Sequence, residues 1–259
     1  MINVVLGIVT YNNADIIAAA INAVLLHTKN LKYTIVIYDN NSTDGTVKVI
    51  AESFSERVQI ISSKQNNGFG YGHNQIFKQF EAKYYVVCNP DLIVQNNILG
   101  DLFQYMEKNR EVGMVTPKIV FPDGETQYLC KEEPNVLDMF ARRFVPGIFK
   151  HLLQQRSNKY EMKYTGYNKE FVVPYATGCF MFFRGEILNK IKGFDENFFM
   201  YLEDADITKR TNEISRVIFY PYNSVVHFWQ RGSHNSLHLT LVNIKSMFYY
   251  FSKWGWKFM

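Results

Sequence analysis

Residues 84–91 read Tyr84-Tyr85-Val86-Val87-Cys88-Asn89-Pro90-Asp91, an apolar run that breaks on three turn-forming residues. Such a run is typical of a strand that is buried on both faces of a parallel sheet. Open parallel sheets bind ligands in the crevice at the carboxyl ends of their strands, and Asp91 occupies such an end. Asp91 is therefore the first candidate functional residue; the alternative is that Asn-Pro-Asp forms only a turn.

The same arrangement recurs through the first half of the chain, where apolar runs end in polar residues and helical patterns follow. The runs predict strands and the intervening patterns predict helices. Strands are predicted at 4–9, 33–38, 58–62, 84–88 and 114–120, and helices around 17–24, from 46 onward and over 97–108. This alternation indicates an α/β domain with a mostly parallel sheet and helices on both faces.

The second half of the chain is less regular. Asp123-Gly124 predicts a hairpin turn, and we interpret residues 128–170 as a variable insertion on the substrate side. Apolar runs return over residues 171–184, and a helix is predicted from Gly185. Nothing in this pattern requires more than one large domain.

The composition is that of an ordinary globular enzyme. Of 259 residues, 47% are hydrophobic and 20% are charged, with a net charge of +4 and a pI near 8.8. This charge suits an anionic ligand or a membrane surface, but no long Lys/Arg block marks a nucleic-acid-binding arm. We therefore expect no nucleic-acid partner.

Cysteine spacing and hydropathy bear on the compartment. Cysteines at 88, 130 and 179 are widely spaced and form no CxxC pair, which argues against a disulfide framework or a zinc site. The first residues run into an apolar strand without a basic leader, and no run of about 18 apolar residues predicts a membrane span. We expect a cytoplasmic protein.

Six polar motifs stand in a fixed order along most of the chain. They are Thr10-Tyr11-Asn12, Asp39-Asn40-Asn41-Ser42 with Asp44-Gly45, Asn67-Gly68-Phe69-Gly70 with Asn74, Asn89-Pro90-Asp91, Thr177-Gly178 and Glu203-Asp204-Ala205-Asp206. In this order they resemble the family-2 glycosyltransferases of the GT-A fold, which is Rossmann-like. The resemblance is greatest to the rhamnosyltransferase-type members that build bacterial surface polysaccharides such as O-antigen and capsule.

The resemblance implies an inverting, non-processive enzyme. Its donor would be a nucleotide-diphosphate sugar, with dTDP-rhamnose favoured over a UDP-sugar. Its acceptor would be a hydroxyl of a saccharide or of a lipid-linked sugar.

The resemblance assigns base recognition to the loops after the first two strands. Asp39 would accept a hydrogen bond from the imide N–H of uracil or thymine, and Thr10, Tyr11 and Asn12 would line the same pocket. The residues alone leave open that Asp39 forms only an Asx-turn or a helix cap. Capping is the role that we expect for Asp44.

Other loops complete the implied substrate site. Asn67, Gly68 and Gly70 would let the backbone approach the nucleotide, and Asn74 would hydrogen-bond nearby. The glycines could equally make a flexible surface loop. Gly178 would border the acceptor, where a side chain would block the sugar.

The resemblance also implies a divalent cation, Mg²⁺ or Mn²⁺, that bridges the diphosphate. Asp91 is the implied ligand, because oxygen ligands suit these ions. The usual motif has a second carboxylate where this chain has Asn89, which we assign to the nucleotide-sugar site. His227 matches a position where some members offer a histidine, with Arg231 and Ser233 just beyond. A lone histidine at a strand end is otherwise a structural or surface residue.

Asp204 is the implied general base. Direct displacement at an anomeric carbon requires the acceptor hydroxyl to lose its proton, and one carboxylate is sufficient for this. Helical spacing turns Glu203, Asp204 and Asp206 onto different faces; we assign Glu203 to acceptor hydroxyls and expect Asp206 to pair with Lys209 or Arg210. The alternative is that these acids only favour the N-terminus of a helix.

Other functional classes agree less well with the sequence. A glycosidase needs no nucleotide site, and a sugar nucleotidyltransferase would carry a glycine-rich, arginine-containing loop after the first strand, where this chain has Thr10-Tyr11-Asn12. A catalytically silent nucleotide-sugar-binding module remains open. A processive synthase is disfavoured because Trp229-Gln230-Arg231 is not the Gln-x-x-Arg-Trp motif of those enzymes.

The carboxyl-terminal segment forms a separate predicted unit. We divide the chain into a domain over residues 1–235 and an amphipathic helix over residues 236–259. Leu237, Leu241, Ile244, Phe248 and Phe251 fall on one helical stripe, and aromatics alternate with lysines after it. The stripe predicts either core packing or an oligomer contact, or else peripheral contact with the inner face of the membrane.

Overall fold

The apolar runs of the first half form a central sheet with helices on both faces, as predicted. The computed structural model describes residues 2–144, 153–228 and 237–258. Its strands are β1 (Ile2–Thr10), β2 (Tyr33–Asp39), β3 (Val58–Ser62), β4 (Ala82–Cys88), β5 (Leu92–Val94), β6 (Val112–Val120), β7 (Cys130–Lys131), β8 (Phe171–Val172), β9 (Tyr175–Ala176), β10 (Phe180–Arg184) and β11 (Arg216–His227). Its helices are α1 (Ile17–His27), α2 (Thr46–Phe54), α3 (Phe69–Gln79), α4 (Ile98–Lys108), α5 (Val136–Phe144), α6 (Gln154–Tyr160), α7 (Gly185–Lys190), α8 (Glu203–Ile214) and α9 (Leu237–Trp254).

The sheet is mixed, and its order is β3-β2-β1-β4-β10-β6-β11-β5, with β8 paired to β11. Strands β3, β2, β1 and β4 pair in parallel, so the polar loops that follow them share one edge. Strand β10 lies between β4 and β6 and is antiparallel to both. It brings the residues before it, Thr177-Gly178, to the same edge.

Both faces of the sheet are buried, because alternate side chains of a strand point to opposite faces. On β1, Leu6 and Ile8 pack into the core that contains α1, α2 and α4, whereas Val5 packs into the core that contains Ile76 of α3. Each fully buried aliphatic side chain stabilises the fold by about 1.5–3 kcal/mol. The continuous apolar runs of the sequence therefore reflect a sheet covered on both sides.

Segments that the sequence left irregular contain short elements. Residues 128–170 include β7, α5 and α6, although residues 145–152 lie outside the described ranges. Strand β11 ends at His227 and pairs with both β6 and β5. That residues 128–170 form a variable acceptor-side insertion stays a prediction.

Helix α9 packs on the rest of the molecule through only part of the predicted stripe. Phe251 is buried, together with Tyr250, against Phe198 and Leu202. Leu237, Leu241 and Phe248 are exposed. Within the described residues, no helix is long and apolar enough to cross a membrane. The division of the chain near residue 235 stays a prediction.

Candidate active site

The loops after β1 and β2 begin side by side at the carboxyl edge of the sheet. Thr10 pairs with Asp39 in the parallel register, and Asn40 N donates to Thr10 O at 2.9 Å. Asp39 is buried; its Oδ2 accepts from Ser42 N at 3.0 Å, while its Oδ1 has no hydrogen-bond partner among the described residues. Oδ2 thus accepts from the backbone of its own loop, whereas Oδ1 is a buried acceptor that no described residue uses.

The other predicted residues of these loops hold the two loops together. Asn12 donates its N–H to Ser42 Oγ and accepts from Thr43 N through Oδ1. Thr10 is buried and donates to Asn13 Oδ1, whereas Tyr11 is half-exposed. A role in base binding stays a prediction for all three.

Asp44 and Asn40 make further ties around the same loops. Asp44 Oδ1 accepts from Thr46 N at the start of α2, in agreement with a capping role. Asn40 is buried, donates to Gly68 O and accepts from Asn67 N. The loops after β2 and β3 are therefore fixed to one another.

Gly68 and Gly70 lie against the segment that leads to the acidic helix α8. Gly68 has φ +93°, and a Cβ built there would lie 2.1 Å from Phe199 O. A Cβ at Gly70 would lie 2.8 Å from Phe194 Cβ. These close approaches alone require glycine at both positions, and contact with a nucleotide stays a prediction.

Asn74 clamps the same segment. Its Oδ1 accepts from Phe194 N, and its Nδ2 donates to Phe194 O and to Glu196 Oε1, all at 2.8–2.9 Å. Both atoms of the Asn74 amide therefore hydrogen-bond to the protein, and they fix the segment around Phe194. Its predicted hydrogen bond to the nucleotide is untested.

Strand register brings Asp91 and His227 together across 136 positions of sequence. Leu92 of β5 pairs with His227 of β11 in antiparallel register, and Phe228 N donates to Asp91 O. The side chains meet with His227 Nε2 at 3.3 Å from Asp91 Oδ1. Asn89, two residues earlier, donates its N–H to Cys179 O beside Gly178. Arg231 and Ser233 lie outside the described residues.

The Asp91–His227 pair has the chemistry of an incomplete cation site. Asp91 Oδ1 is buried and accepts no hydrogen bond from any described residue. No group of three or more His, Cys, Asp or Glu side chains in the described ranges could hold a metal by itself. A carboxylate oxygen and an imidazole nitrogen nevertheless suit Mg²⁺ or Mn²⁺ when phosphate oxygens supply the remaining ligands. The residues fit a cation shared with a bound diphosphate.

Asp204 lies at the start of α8, with hydrogen bonds to both carboxylate oxygens. Oδ1 accepts from Tyr175 OH at 3.1 Å and from Ala205 N at 2.9 Å, whereas Oδ2 accepts from Gly178 N at 2.9 Å. A carboxylate oxygen has two lone-pair positions. Oδ2 therefore keeps one position for a proton.

Burial shapes the electrostatics of the two acids. It raises the pKa of Asp204, against the opposing effects of nearby Lys131 and of the donated hydrogen bonds. Burial and the charge of Asp204 together raise the pKa of Glu203 well above its usual value. Glu203 Oε2 is buried without a hydrogen-bond partner among the described residues. Burial therefore disfavours the charged form of both acids, and the neighbouring charge of Asp204 adds to this effect at Glu203.

The turn into α8 is strained. Tyr201 and Leu202 both have positive φ, at 73° and 66°, a region that costs a non-glycine residue on the order of 1 kcal/mol or more. Packing compensates, because Leu202 is buried among Phe198, Phe251 and Ala205. The positive φ angles of these two residues form the turn after which α8 begins at Glu203.

Gly178 lies between the Gly68–Gly70 loop and the acidic start of α8. A Cβ built there would lie 3.2 Å from Asp204 Cβ and 3.4 Å from Phe69 Cε1. The structure therefore brings Gly178, Asp204 and the Gly68–Gly70 loop together. Whether Gly178 and Glu203 meet an acceptor stays a prediction.

Asp206 points away from this edge, as its helical spacing indicates. It is fully buried and pairs with Arg210 and with Lys253 of α9, both at 2.7 Å, and it accepts from Trp254 Nε1. Lys209 pairs instead with Glu133. The predicted pairing with Arg210 is present; Lys253 was not foreseen.

Sequence reasoning missed Tyr175 as a partner of Asp204. Tyr175 belongs to the two-residue strand β9, which pairs with β7 so that Lys131 Nζ lies 5.0 Å from the tyrosine ring centroid. Strands this short show no period in the sequence. The one available signal was proximity to Thr177-Gly178, two residues onward.

Comparison with known proteins identifies a family that most of the chain matches. Residues 6–192 match the family described as Glycosyl transferase family 2. An N-acetylglucosaminyl-diphospho-decaprenol L-rhamnosyltransferase of Mycobacterium tuberculosis is 23% identical over 212 residues, which cover 75% of this chain and 66% of that protein. The rhamnosyltransferase WbbL of Escherichia coli is 23% identical over 216 residues, which cover 78% and 75%.

Solved structures share the fold. A mannosyltransferase from Pyrobaculum calidifontis, in complex with GDP-mannose and Mn²⁺, superposes with a TM-score of 0.62 at 19% identity. The match covers 89% of this chain and 58% of that one. This likeness confirms the predicted GT-A fold.

Proposed function

The chain belongs to glycosyltransferase family 2, and we propose that it is an inverting, cation-dependent enzyme that transfers a sugar from a nucleotide diphosphate to an acceptor hydroxyl. The pathway would be synthesis of a bacterial surface polysaccharide. The proposal rests on one observation above all. Asp39, the Asp91–His227 pair and Asp204 lie at one edge of one sheet, connected through Gly178 and the loop at Gly68–Gly70.

The donor half of the site would bind the base and the diphosphate. Asp39 Oδ1, which has no partner among the described residues, can accept from the imide N–H of thymine or uracil. Asp91 Oδ1 and His227 Nε2 converge where the cation would lie. When bound, the cation neutralises charge that builds on the departing diphosphate.

The acid half of the site would serve the acceptor. Asp204 Oδ2 has the open lone-pair position and takes the proton of the attacking hydroxyl, while Tyr175, Ala205 and Gly178 fix the carboxylate. The raised pKa of Asp204 makes it a better base than an exposed aspartate, because base strength follows pKa. The raised pKa of Glu203 favours its protonated form, which could donate a hydrogen bond to an acceptor oxygen.

Inversion follows from this division of labour. One carboxylate deprotonates the acceptor on the face opposite the leaving group, and no protein nucleophile is required. The acceptor oxygen forms its bond to the anomeric carbon as the bond to the diphosphate oxygen breaks. The proton moves to Asp204, and the electron pair leaves with the diphosphate.

Rhamnose from dTDP-rhamnose is the donor sugar that we propose. The support is the pair of bacterial relatives named as rhamnosyltransferases, together with a base site suited to thymine. The mycobacterial name specifies a diphospho-decaprenol acceptor, so we propose a lipid-linked saccharide as the acceptor here. This acceptor would place the enzyme at the cytoplasmic face of the membrane.

The exposed part of α9 supports that location. Leu237, Leu241 and Phe248 are 86%, 66% and 58% exposed, and Phe258 beyond the helix is 61% exposed. Lys245 on the same helix is exposed as well, whereas Lys253 and Lys257 pair with acidic side chains of the protein. Apolar and basic side chains in this mixture favour an anionic lipid surface. A contact between two copies of the chain is the competing use of this face.

Calorimetry with matched nucleotides tests the donor half directly. Thymidine and uridine diphosphates carry an imide N–H, whereas cytidine diphosphate offers an unprotonated nitrogen that repels a carboxylate. With Mn²⁺ present, we expect the first two to bind about tenfold or more tightly than CDP, since a charge-assisted hydrogen bond contributes about 1.5–3 kcal/mol. Asp39→Asn should remove the preference while keeping the Ser42 hydrogen bond. Equal affinity for UDP and CDP in the wild type would contradict the proposal.

A further inference from the structure

Gln127 is a buried amide that the proposed chemistry does not use. Its Nε2 donates to His227 O at 2.9 Å and to Val120 O at 3.4 Å, and its Oε1 lies 2.9 Å from His227 Nδ1. Only 3% of the residue is exposed. Gln127 thus contacts both the backbone and the ring of a proposed cation ligand.

These contacts determine which way the amide points and which ring nitrogen carries the proton. Both partners of Gln127 Nε2 are carbonyl oxygens, which only accept hydrogen bonds. The amide nitrogen must therefore face them, and Oε1 must face the imidazole. Because an amide oxygen also only accepts, His227 Nδ1 must carry a proton.

The consequence reaches Asp91. In the Nδ1–H tautomer the imidazole lone pair lies on Nε2, which faces Asp91 Oδ1 at 3.3 Å. Two acceptors at this distance repel each other unless a proton or a metal cation lies between them, so a cation that binds both atoms takes the place that a proton on Nε2 would fill. Histidine ligands of metals usually donate their other ring N–H to an oxygen, and loss of that oxygen weakens metal binding.

We infer that Gln127 is a positioning residue that holds His227 in the Nδ1–H tautomer and directs its Nε2 lone pair to a divalent cation beside Asp91. The inference rests on the proposed function, since it concerns the ligands of the proposed cation.

The hairpin after β6 gives Gln127 this position. Gly124, with φ +88°, closes the turn, and Phe121 N donates to Glu125 O. Gln127 N then donates to Ile119 O, which returns the chain alongside the end of β6. Because β6 pairs with β11 up to Val226, the Gln127 side chain reaches the next residue of β11. The Asp123-Gly124 turn thereby contributes to the site.

The tautomer can be read in the wild-type protein by NMR with ¹⁵N-labelled histidine. Among the signals of the six histidines, that of His227 is identified by its loss in His227→Gln. With dTDP and diamagnetic Mg²⁺ bound, we expect the protein to show a protonated Nδ1 and an unprotonated Nε2. A His227 ring protonated on Nε2 in the wild type would overturn the inference without any change to Gln127.

Variants of Gln127 test the consequence for the cation. Gln127→Met keeps the size but cannot accept from Nδ1–H, whereas Gln127→Glu keeps that acceptor. With dTDP saturating, we expect Gln127→Met to weaken Mn²⁺ binding by about 10–100-fold, measured by electron paramagnetic resonance of free Mn²⁺. The His227 signal should shift towards the Nε2–H form in Gln127→Met, whereas Nδ1 should stay protonated in Gln127→Glu.

Asn96→Leu is the matched control. Asn96 is an amide that also donates to a β11 carbonyl, Ser224 O at 2.9 Å, three residues before His227. It should leave both the tautomer and the Mn²⁺ affinity unchanged; a loss equal to that of Gln127→Met would assign the effect to β11 stability and overturn the inference.

Two further results separate this inference from the proposed function. If His227→Gln weakens Mn²⁺ binding and Gln127→Met does not, the positioning role is wrong while the cation site stands. If Asp91→Asn and His227→Gln both bind Mn²⁺ as the wild type does, the proposed cation site is itself wrong, and the role of Gln127 fails with it.

Discussion

At the scale of single residues, the two oxygens of one carboxylate can have different tasks. Asp39 uses Oδ2 in a turn and leaves Oδ1 without a partner in the described structure. Asp204 has two donors on Oδ1 and one on Oδ2. From the sequence, turn or cap formation by Asp39 was an alternative to ligand binding. In the structure the two roles are compatible, because only Oδ2 bonds the loop backbone.

Asp204→Asn should damage the chemical step much more than donor binding. The amide cannot take a proton, so we expect turnover to fall by about 10²–10⁴-fold, the usual effect of losing a general base. It should also turn an N–H towards the N–H of Gly178 or of Ala205, which costs about 1–3 kcal/mol of stability. Turnover is measured as the rate of nucleoside diphosphate release with a membrane lipid extract as acceptor. Donor affinity is measured by calorimetry. Turnover within about threefold of the wild type would exclude Asp204 as the base.

His73 should make the fold sensitive to acid. It is fully buried among Phe69, Phe77 and Phe194, and neither ring nitrogen has a hydrogen-bond partner in the described ranges. Burial lowers the pKa of His73 to about 3 from its usual 6.5. Between these values the unfolded chain binds a proton that the folded chain does not, so stability is complete above pH 6.5 and falls as the pH decreases.

The slope should approach about 1.4 kcal/mol per pH unit below pH 6. Urea unfolding from pH 7 to pH 4 measures it, with His73→Met as the variant that removes the titration and His238→Gln as an exposed control. An unchanged slope in His73→Met would show that other groups cause the acid sensitivity.

At the scale of elements, the sequence predicted what has a period and missed what depends on distant partners. Helices α2 and α4 and strands β1 to β4 were visible because their apolar spacing repeats over several residues. Strands β7 and β9 have two residues each and show no period. The meeting of Asp91 with His227, and of His227 with Gln127 100 positions away, follows from strand register, which a single sequence does not reveal.

Helices α8 and α9 are joined by a buried charge cluster. Asp206→Asn should leave Arg210 and Lys253 without their shared carboxylate, at a cost of about 2 kcal/mol or more; the value is below that of a wholly buried pair because Lys253 is 27% exposed. Urea unfolding measures the loss. A double variant with Lys253→Met should recover part of it, whereas an additive further loss would show that the cluster does not couple the two helices.

At the scale of the whole molecule, the sheet assembles the site from two halves of the chain. The parallel strands β3, β2, β1 and β4 supply the loops to which we assign donor binding, and β10, inserted antiparallel beside β4, carries Gly178 to the same edge. The clamp of Asn74 on Phe194 and the contact of Phe69 N with Phe199 O connect the donor loops to α8. The order of the motifs along the sequence predicted these loops. The hydrogen bonds that connect them to the segment before α8 were visible only in the structure.

The exposed face of α9 should govern attachment to lipid. We expect the wild type to float with vesicles that contain phosphatidylglycerol and Leu241→Asp/Phe248→Asp to remain in solution, since each apolar side chain contributes roughly 1 kcal/mol or more on burial. Leu26→Asp on α1 is the matched control, because Leu26 is 63% exposed and Leu241 is 66% exposed. The face would be assigned to self-association if the wild type does not bind vesicles but sediments as a dimer and the double variant sediments as a monomer.

Cleavage of the donor tests the central claim most directly. Purified protein is incubated with Mn²⁺ and, in separate reactions, dTDP-rhamnose, a UDP-sugar, GDP-mannose and a CDP-sugar, and the released nucleoside diphosphate is quantified. We expect release from dTDP-rhamnose above the others, with loss of release in EDTA and in Asp91→Asn. No release from any donor by folded wild type that binds these nucleotides would indicate a silent binding module, and release that persists in both EDTA and Asp91→Asn would contradict the cation-dependent mechanism.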